Sequence, residues 1–514
     1  MTAESSSPTG TVTRAALWTV AGRQLERVLG IASIAVTARL LLPSDFGLVG
    51  MAFSVLAMIE VFSSFGFDWA LVRLKNPTRE HFDTAFTLRV IFGLGTCATM
   101  CVFAYPAAAM YKDSRVVPLI VALGFASLLG SADNIGLAEF RRRLNFLPEF
   151  QIKVWSKLAS LVACWGLAWA THSYWSLVGG IVAARLASVI LSYRFSEFRP
   201  RLSLARRGDL TSFSIWFLAG NLVQALRGQF SQFYIGRVFG AHFVGVYGTA
   251  NEFSAIASTE IAAPLNRAVF GRYAEMQGNR ELLRQAFEDV SGFIWLLGLP
   301  AALGIGVCAP ELVLVLLGAR WADSAPLLQV LAIAGVFGVM AGNTAYVYWA
   351  LGRSRLVLTL DLLAAVVFIG CTVAFARVYG VVGVAIAQCA ASGLVLAVNY
   401  AVLRKTLDLS FAAMGARLWR IVVSAGVMYV GVAALRTLLS DLGVRSAIVR
   451  LSLLVPAGVV LYAIIVSSLW WVVGKPIGPE QKAAARLAAF LFGGDVSART
   501  IARDIRRRIL AVLR

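Results

Sequence analysis

The chain has 514 residues, of which 59% are hydrophobic and 14% charged, and its mean hydropathy is +0.76. Soluble domains carry about 25% charged residues, so this composition excludes a soluble enzyme or a soluble binding module. The formal net charge of +20 would suit a nucleic-acid-binding protein, but membrane topology accounts for most of it, and we expect no nucleic-acid partner.

Apolar segments of about 20 residues, long enough to cross a bilayer as helices, recur along the whole chain. The connections between them are short, and none could hold a soluble catalytic domain. The sequence therefore predicts an all-α polytopic membrane protein with about fourteen transmembrane helices. They lie near 15–40, 45–72, 83–106, 116–138, 150–170, 173–194, 213–236, 243–265, 288–309, 325–350, 355–376, 380–403, 418–438 and 447–473.

The distribution of Lys and Arg predicts the orientation of these spans. With the N-terminus inside, most of the 47 basic residues lie in inner loops and tails, as the positive-inside rule requires. Both termini are then cytoplasmic: a short tail at 1–12, which lacks a signal peptide, and a basic tail at 474–514. The second tail has the pattern of an amphipathic helix on an anionic membrane surface, and the alternative is a solvated basic tail.

No catalytic or metal-binding set is recognisable. The six cysteines fall within apolar segments, and no histidine completes a ligand set with Cys97 and Cys101. The three histidines lie at span ends, and we find no Ser–His–Asp set and no Gly-rich phosphate loop. We therefore predict no enzyme, no metal and no cofactor.

The chain contains an internal repeat at a constant shift of 198 residues, because residues 13–57 match residues 211–255 without a gap. The identical pairs include Trp18/Trp216, Ser33/Ser231, Arg39/Arg237 and Gly47/Gly245. A weaker echo relates 174–180 to 378–384. Gly- and Ala-rich helices align easily, but the ungapped Trp, Arg and Ser matches favour a true duplication.

The repeat predicts two pseudo-symmetric six-helix lobes, at 13–200 and 213–405, joined by a basic linker at 201–212. Two extra helices follow at 406–473. Since an even number of crossings separates the two copies, they share one orientation and are related by an axis along the membrane normal. Such halves enclose a site near the midplane and suit alternating access, whereas an enzyme or a scaffold has no comparable need for them.

Polar residues follow one face of the first predicted span. Because an ionisable group facing lipid costs several kcal/mol, we expect this stripe and its counterpart in the seventh span to face a cavity. Guanidinium groups bind phosphate bidentately and amides bind sugar hydroxyls, so the cavity suits an anionic or hydroxyl-rich ligand. The stripe consists of Arg23, Glu26, Arg27, Gly30 and Ser33, and its counterpart of Asn221, Gln224, Gly228 and Ser231. For Arg89, in the third span, a structural ion pair is an equally good interpretation.

Three stretches carry a family resemblance. ARLLLPSDFGLVGMA (38–52), FSSFGFDWALVRLKNPTREHFDTAF (62–86) and the RRRLNF loop (141–146) resemble the signature of Wzx-type polysaccharide flippases. These proteins belong to the multidrug/oligosaccharidyl-lipid/polysaccharide (MOP) exporter superfamily, and the likeness is to its colanic-acid and exopolysaccharide exporters. The resemblance covers about residues 1–405 and is vague in the last two spans.

The resemblance implies translocation of undecaprenyl-pyrophosphate-linked oligosaccharide repeat units across the bacterial plasma (inner) membrane, for O-antigen, capsule or exopolysaccharide synthesis. It implies two lobes around a cationic cavity. The implied partners are the lipid-linked substrate, membrane lipids, and a polysaccharide polymerase or chain-length regulator. By position, it assigns the pyrophosphate to Arg23, Arg27 and Arg227, and glycan contacts to Asn221, Gln224 and Asn251. This sequence departs from the family pattern in its seventh span, which carries amide side chains where relatives can carry charged ones.

The sequence leaves the driving force open between proton or sodium coupling, through Glu26, Glu60 or Glu252, and the membrane potential. One rival is a cation-coupled multidrug exporter of the same superfamily. Such an exporter would be expected to carry a single acidic residue in the first span that binds the coupling ion. Glu26, between two arginines, fits that pattern poorly. The other rival is a membrane polysaccharide polymerase or a glycosyltransferase. It would need a large outer loop or an acidic metal motif, and neither is present.

Overall fold

The computed structural model describes residues 8–61, 71, 74, 76–143, 145–208, 215–474 and 478–481, and their side chains except those of 8–21, 23 and 215–219. Among these residues, eight helices are long and apolar enough to cross a membrane. The amphipathic pattern in the C-terminal tail, from 482 on, lies outside the described residues, as do Asp68 and the end of the linker at 209–212.

Helical segments of the described chain correspond to all fourteen predicted spans and take their numbers. The uninterrupted ones in the first half are span 1 (Pro8–Leu40), span 2 (Pro43–Glu60), span 3 (Arg79–Tyr111), span 4 (Val116–Ser131), span 5 (Leu147–Thr171), span 6 (Trp175–Phe195) and span 7 (Ile215–Val238). Those in the second half are span 9 (Arg280–Val307), span 13 (Phe411–Asp441) and span 14 (Ala447–Val472). Short helices, Leu137–Arg142 and Ala309–Leu316, lie between spans.

Three interruptions mark the remaining spans. Span 8 consists of the helix Ala241–Ser254, a π-helical segment Ala257–Ala262 and the helix Ala263–Glu275. Span 10 is divided into Ser324–Ala341 and Thr344–Ala350. Spans 11 and 12 form one helical run, Ser354–Leu407, which is broken at Gly380 with φ +61° and ψ −141°.

Local sequence accounts for several helix ends. Pro43 begins span 2 at the first helical turn, where its missing N–H leaves no hydrogen bond unmade. Gly240 has a φ of +88° and separates spans 7 and 8, a conformation that a residue with a Cβ rarely adopts. Asn279 caps span 9 by accepting a hydrogen bond from the backbone N–H of Leu282.

Contacts among the helices divide the chain into two units. The first comprises Met1–Gly248 and Leu316–Trp321. Within it, spans 5 and 6 pack together, as do spans 3 and 4, while span 1 packs along span 5 and span 7 along span 2. Trp321 is fully buried in this unit: its Nε1–H donates to the carbonyl oxygen of Ala38 at 2.9 Å, and its ring meets Phe46 edge to face at 5.0 Å.

Two arginine side chains of the first unit donate hydrogen bonds to backbone carbonyls in neighbouring segments. Arg89 donates to three backbone carbonyls at the end of span 4, at 3.0–3.2 Å. Arg142, in the RRRLNF loop, donates to the carbonyl oxygens of Leu71 and Leu74. Arg89 therefore stabilises the end of a helix by hydrogen bonds to backbone carbonyls.

The second unit comprises Thr249–Val315 and Ala322–Arg514. Its core lies between spans 8 to 13 and includes the buried rings of Phe287, Tyr348 and Tyr400. Spans 13 and 14 pack together, and span 13 also packs on span 9. After span 14 the chain returns to this unit, where Glu480 pairs with Arg420 at 3.0 Å and both side chains are buried.

Candidate functional site

Span 1 packs on span 5 along a seam that includes two glycines. Three contacts at helical spacing make it: Gly22 with Phe150, Gly30 with Lys157, and Thr37 with Cys164. The contacts recur every seven or eight residues on span 1 and every seven on span 5, which is about two turns of a helix. This seam sets the rotation of span 1 and therefore the direction of its polar stripe.

The seam brings an additional cation to the stripe. A Cβ on Gly30 would lie 4.0 Å from the Nζ atom of Lys157, so the ammonium group lies beside span 1 at this position. Arg27 and Glu26 are half-buried on span 1. The backbone of Arg23 lies in span 1, but its side chain is outside the described residues. Sequence reasoning gave Lys157 no role, because only the packing of span 5 on span 1 places it there.

Span 7 divides into a packed half and an exposed half. From Ser231 on it is packed: Ser231 is buried and accepts a hydrogen bond from the hydroxyl of Tyr247 at 3.3 Å. Before that point Asn221 is half-buried, while Gln224 and Arg227 are exposed. The stripe predicted for span 7 therefore begins on an accessible face and ends against span 8.

The remaining predicted carboxylates and amides lie in different places. Glu60, at the end of span 2, accepts a hydrogen bond from the hydroxyl of Ser127 at 2.8 Å. Asn251 and Glu252 lie on span 8 in the second unit, and both side chains are exposed. Each unit thus holds part of the predicted site, with the cationic stripe in the first.

A cavity of about 370 Å³ lies in the first unit, beside Ser33 at the far end of the stripe. Spans 1, 2, 5, 6 and 7 wall it, and its size falls within the range of about 300–1,000 Å³ typical of small-molecule sites. Its polar side chains are Ser33, Ser160, Gln229 and Gln232, and its aromatic ones are Phe46 and Phe53.

Sequence reasoning missed the two glutamines of this cavity, although one of them carried a signal. Gln232 follows Asn221 by 11 residues, about three helical turns, so it extends the stripe of span 7. Gln229 lies off that face and is found only by the packing of span 7 on span 2.

An apolar groove of about 700 Å³ lies elsewhere in the same unit, between spans 2 and 3. Val55, Met58 and Ile59 line it from span 2, and Phe233 from span 7. Val49 and Phe53, which face the polar cavity, lie on roughly the opposite side of span 2. One helix therefore separates a polar compartment from an apolar one.

Residues 36–326, more than half of the chain, match a family described as polysaccharide biosynthesis protein. The chain belongs to this family. The succinoglycan biosynthesis transport protein ExoT of Rhizobium meliloti (strain 1021) is 25% identical over 325 residues, covering 63% of this chain and 66% of the relative. The lipopolysaccharide biosynthesis protein WzxC of Escherichia coli (strain K12) is 22% identical over 365 residues, covering 69% and 73%. The match thus spans just under two thirds of the first relative and more of the second.

Solved structures show the fold of this polysaccharide biosynthesis protein. Lipid II flippase MurJ, in its inward closed conformation, matches with a TM-score of 0.72 at 11% identity, covering 89% of this chain and 99% of that one. An inward-facing multidrug resistance MATE family transporter of the MOP superfamily matches with a TM-score of 0.61 at 14% identity, covering 74% and 94%. The predicted fold class is therefore confirmed.

Proposed function

We propose that this family member is a flippase that moves undecaprenyl-pyrophosphate-linked oligosaccharide repeat units across the bacterial plasma membrane by alternating access. Its relatives are named for succinoglycan transport and lipopolysaccharide biosynthesis, and its fold is shared with a lipid II flippase. The observation that carries the proposal is the half-buried Arg27 beside the seam that brings Lys157 to the same stripe.

The stripe supplies the chemistry that a pyrophosphate requires. Arg27 can hold phosphate oxygens with a planar, bidentate donor set, and Lys157 adds a compact positive charge. Arg23 precedes Arg27 by one turn on the same helix, and Glu26 between them moderates the summed charge. On this proposal Arg227 adds a contact from span 7, and the amides of Asn221, Gln224 and Asn251 bind the glycan.

Coupling to an ion is proposed at three carboxylates: Glu26, Glu60 and Glu252. Of these, Glu60 accepts a hydrogen bond from the hydroxyl of Ser127 at 2.8 Å. The hydrogen bond between Ser127 and Glu60 joins span 4 to span 2, so on this proposal ion binding at Glu60 acts on the packing of these two spans.

The proposal includes the organisation of the chain in the membrane. Both termini are cytoplasmic, the lobes at 13–200 and 213–405 rock against each other, and the extra helices at 406–473 accompany them. A polysaccharide polymerase or chain-length regulator receives the flipped unit. The exposed Arg143 and Lys153 in the loop and helix start before Lys157 are typical of an inner surface, in keeping with this orientation.

Export of polymer by cells tests the cation stripe. We expect the double variant R23A/R27A, and separately K157A, to lower polymer export at least about tenfold in a strain lacking its own copy, because the pyrophosphate loses charge-assisted hydrogen bonds. K153A is the matched control: Lys153 lies one turn earlier on span 5, is exposed and pairs with Glu149 at 3.6 Å. Full export by the double variant at normal expression would show that the pyrophosphate binds elsewhere.

A drug exporter of the same fold would behave differently. Its strain would become sensitive to cationic drugs on deletion, whereas a flippase deletion removes polymer. The presence of Arg27 and Lys157 at the stripe disfavours a cationic cargo, because like charges repel in a site of low dielectric.

A further inference from the structure

The cavity beside Ser33 differs from the stripe that leads to it in carrying no formal charge. Of the described residues that line it, the polar ones are two serines, two glutamines and Cys164. Hydroxyl and amide groups both donate and accept hydrogen bonds, as sugar hydroxyls do. None of the described lining residues would be a counter-ion for a carboxylate or phosphate placed among them.

Gln232 contributes a hydrogen-bond acceptor that has no donor among the described residues. Its Oε1 atom is buried and has no hydrogen-bond partner among the described residues. A buried acceptor without a donor costs free energy, which a hydroxyl group entering the cavity would recover.

Gly50, which also lines the cavity, lies beside that acceptor. A Cβ at Gly50 would lie 3.5 Å from Gln232 Oε1, so a larger side chain there would pack on the atom. Phe46 and Phe53 from the same span present apolar ring surface, against which the C–H face of a sugar ring can pack.

The apolar groove between spans 2 and 3 offers a hydrocarbon chain a larger and better matched site in the same unit. That groove has about 700 Å³ and is lined mainly by Val, Met, Ile and Phe side chains. A lipid tail in the polar cavity would instead bury the amides of Gln229 and Gln232 without partners. The cavity therefore suits the polar part of a lipid-linked molecule better than its hydrocarbon tail.

We propose that this cavity binds an uncharged sugar residue of the lipid-linked glycan, with Gln232 Oε1 accepting a hydrogen bond from a sugar hydroxyl. The inference rests on the proposed function, and it adds a selectivity: a neutral hexose next to the pyrophosphate is accepted and a uronic acid in the same place is rejected. Gln229, Ser33 and Ser160 complete the hydrogen-bonding set.

Binding of three defined probes to the purified full chain in lipid nanodiscs tests the proposal. The probes are farnesyl pyrophosphate, farnesyl-pyrophosphate-linked glucose and farnesyl-pyrophosphate-linked glucuronic acid. We expect the glucose probe to bind at least about fivefold more tightly than farnesyl pyrophosphate, as a few net hydrogen bonds allow, and the glucuronic acid probe to gain nothing.

Variants then assign the gain to the cavity. Q232L should bring the glucose probe to within about twofold of farnesyl pyrophosphate while leaving affinity for farnesyl pyrophosphate itself unchanged, which also shows that the variant is folded. Q388L is the matched control: Gln388 is a half-buried glutamine of span 12 that does not line the cavity. Should Q232L fail to fold, S33A and Q229L remove the other contacts and should reduce the same ratio.

Two results would overturn the sugar site and leave the proposed function intact: no gain for the glucose probe in the wild-type protein, or an undiminished gain in Q232L. Farnesyl pyrophosphate binding that ignores R27A and K157A would count against the proposed function instead. The two failures are therefore separable in one set of titrations.

Discussion

Gly47 and Gly245 contact each other reciprocally at equivalent positions of the two repeats. A Cβ on Gly47 would overlap the carbonyl oxygen of Ala241, and a Cβ on Gly245 would overlap that of Pro43. The same Cβ atoms would lie 3.0 and 3.1 Å from the partner glycine's backbone nitrogen. Since Ala241 follows Pro43 by the same 198 residues, one contact is made twice, which is how two copies of a surface meet across a two-fold axis.

We expect G47A and G245A to destabilise the protein, because the obstacle in each case is backbone that cannot rotate away. Overpacking of this kind costs about 1–3 kcal/mol, and the helix start at Pro43 must move to relieve it. Thermal unfolding in detergent measures the loss. G248A is the control, because Gly248 lies on the same helix as Gly245 and its added methyl group meets open space. This variant should leave the melting temperature unchanged or raise it. Equal melting temperatures for G47A and G248A would contradict the contact.

Trp321 provides a second prediction about stability. W321F keeps a ring against Phe46 but removes the Nε1–H that binds the carbonyl oxygen of Ala38, so we expect a loss of about 1 kcal/mol or more. W169F, at a side chain 78% exposed in the same unit, should change little. Unfolding followed by a probe other than tryptophan fluorescence makes the comparison, and a neutral W321F would mean that the hydrogen bond contributes nothing.

We expect substitutions of the buried pair Arg420 and Glu480 to have strongly non-additive effects on the free energy of unfolding. R420M leaves a carboxylate that is 6% exposed without its counter-ion, which costs about 3–5 kcal/mol, and E480M has the mirror effect. The double variant should lose much less than the sum, because no unpaired charge remains. R143M, at an arginine 74% exposed, is the control for removing a surface charge. Additive losses in the double variant would contradict the buried ion pair.

Gly380 separates spans 11 and 12 in a backbone region that is open almost only to glycine. G380A should therefore cost about 1–3 kcal/mol and lower the yield of folded protein. G370A is matched within span 11, where the added methyl group meets open space, and should be neutral or stabilising. Size-exclusion profiles and melting temperatures of the two variants check this prediction.

The spans could be predicted from the sequence because length and apolar composition alone decide whether a helix crosses a bilayer. The repeat was also visible, since the same packing keeps Gly47 and Gly245 identical. Lys157 and Gln229 could not be assigned, because the periodicity of one helix does not reveal which neighbour it faces. Of the stripe predicted in span 1, Ser33 is the described residue that lines the cavity, because the wall of the cavity is made by five helices whose packing is tertiary.

The π-helical segment of span 8 changes the direction of the side chains part-way along that span. The ungapped match between the repeats ends at Ala255, and the π segment begins at Ala257. A π turn accommodates one extra residue, so side chains beyond it are rotated by about 100° relative to an uninterrupted helix. Side chains after Ala262 therefore point in other directions than an uninterrupted continuation of the helix Ala241–Ser254 would give them. Span 8 thus presents two differently directed faces to its neighbours, one before the π segment and one after it.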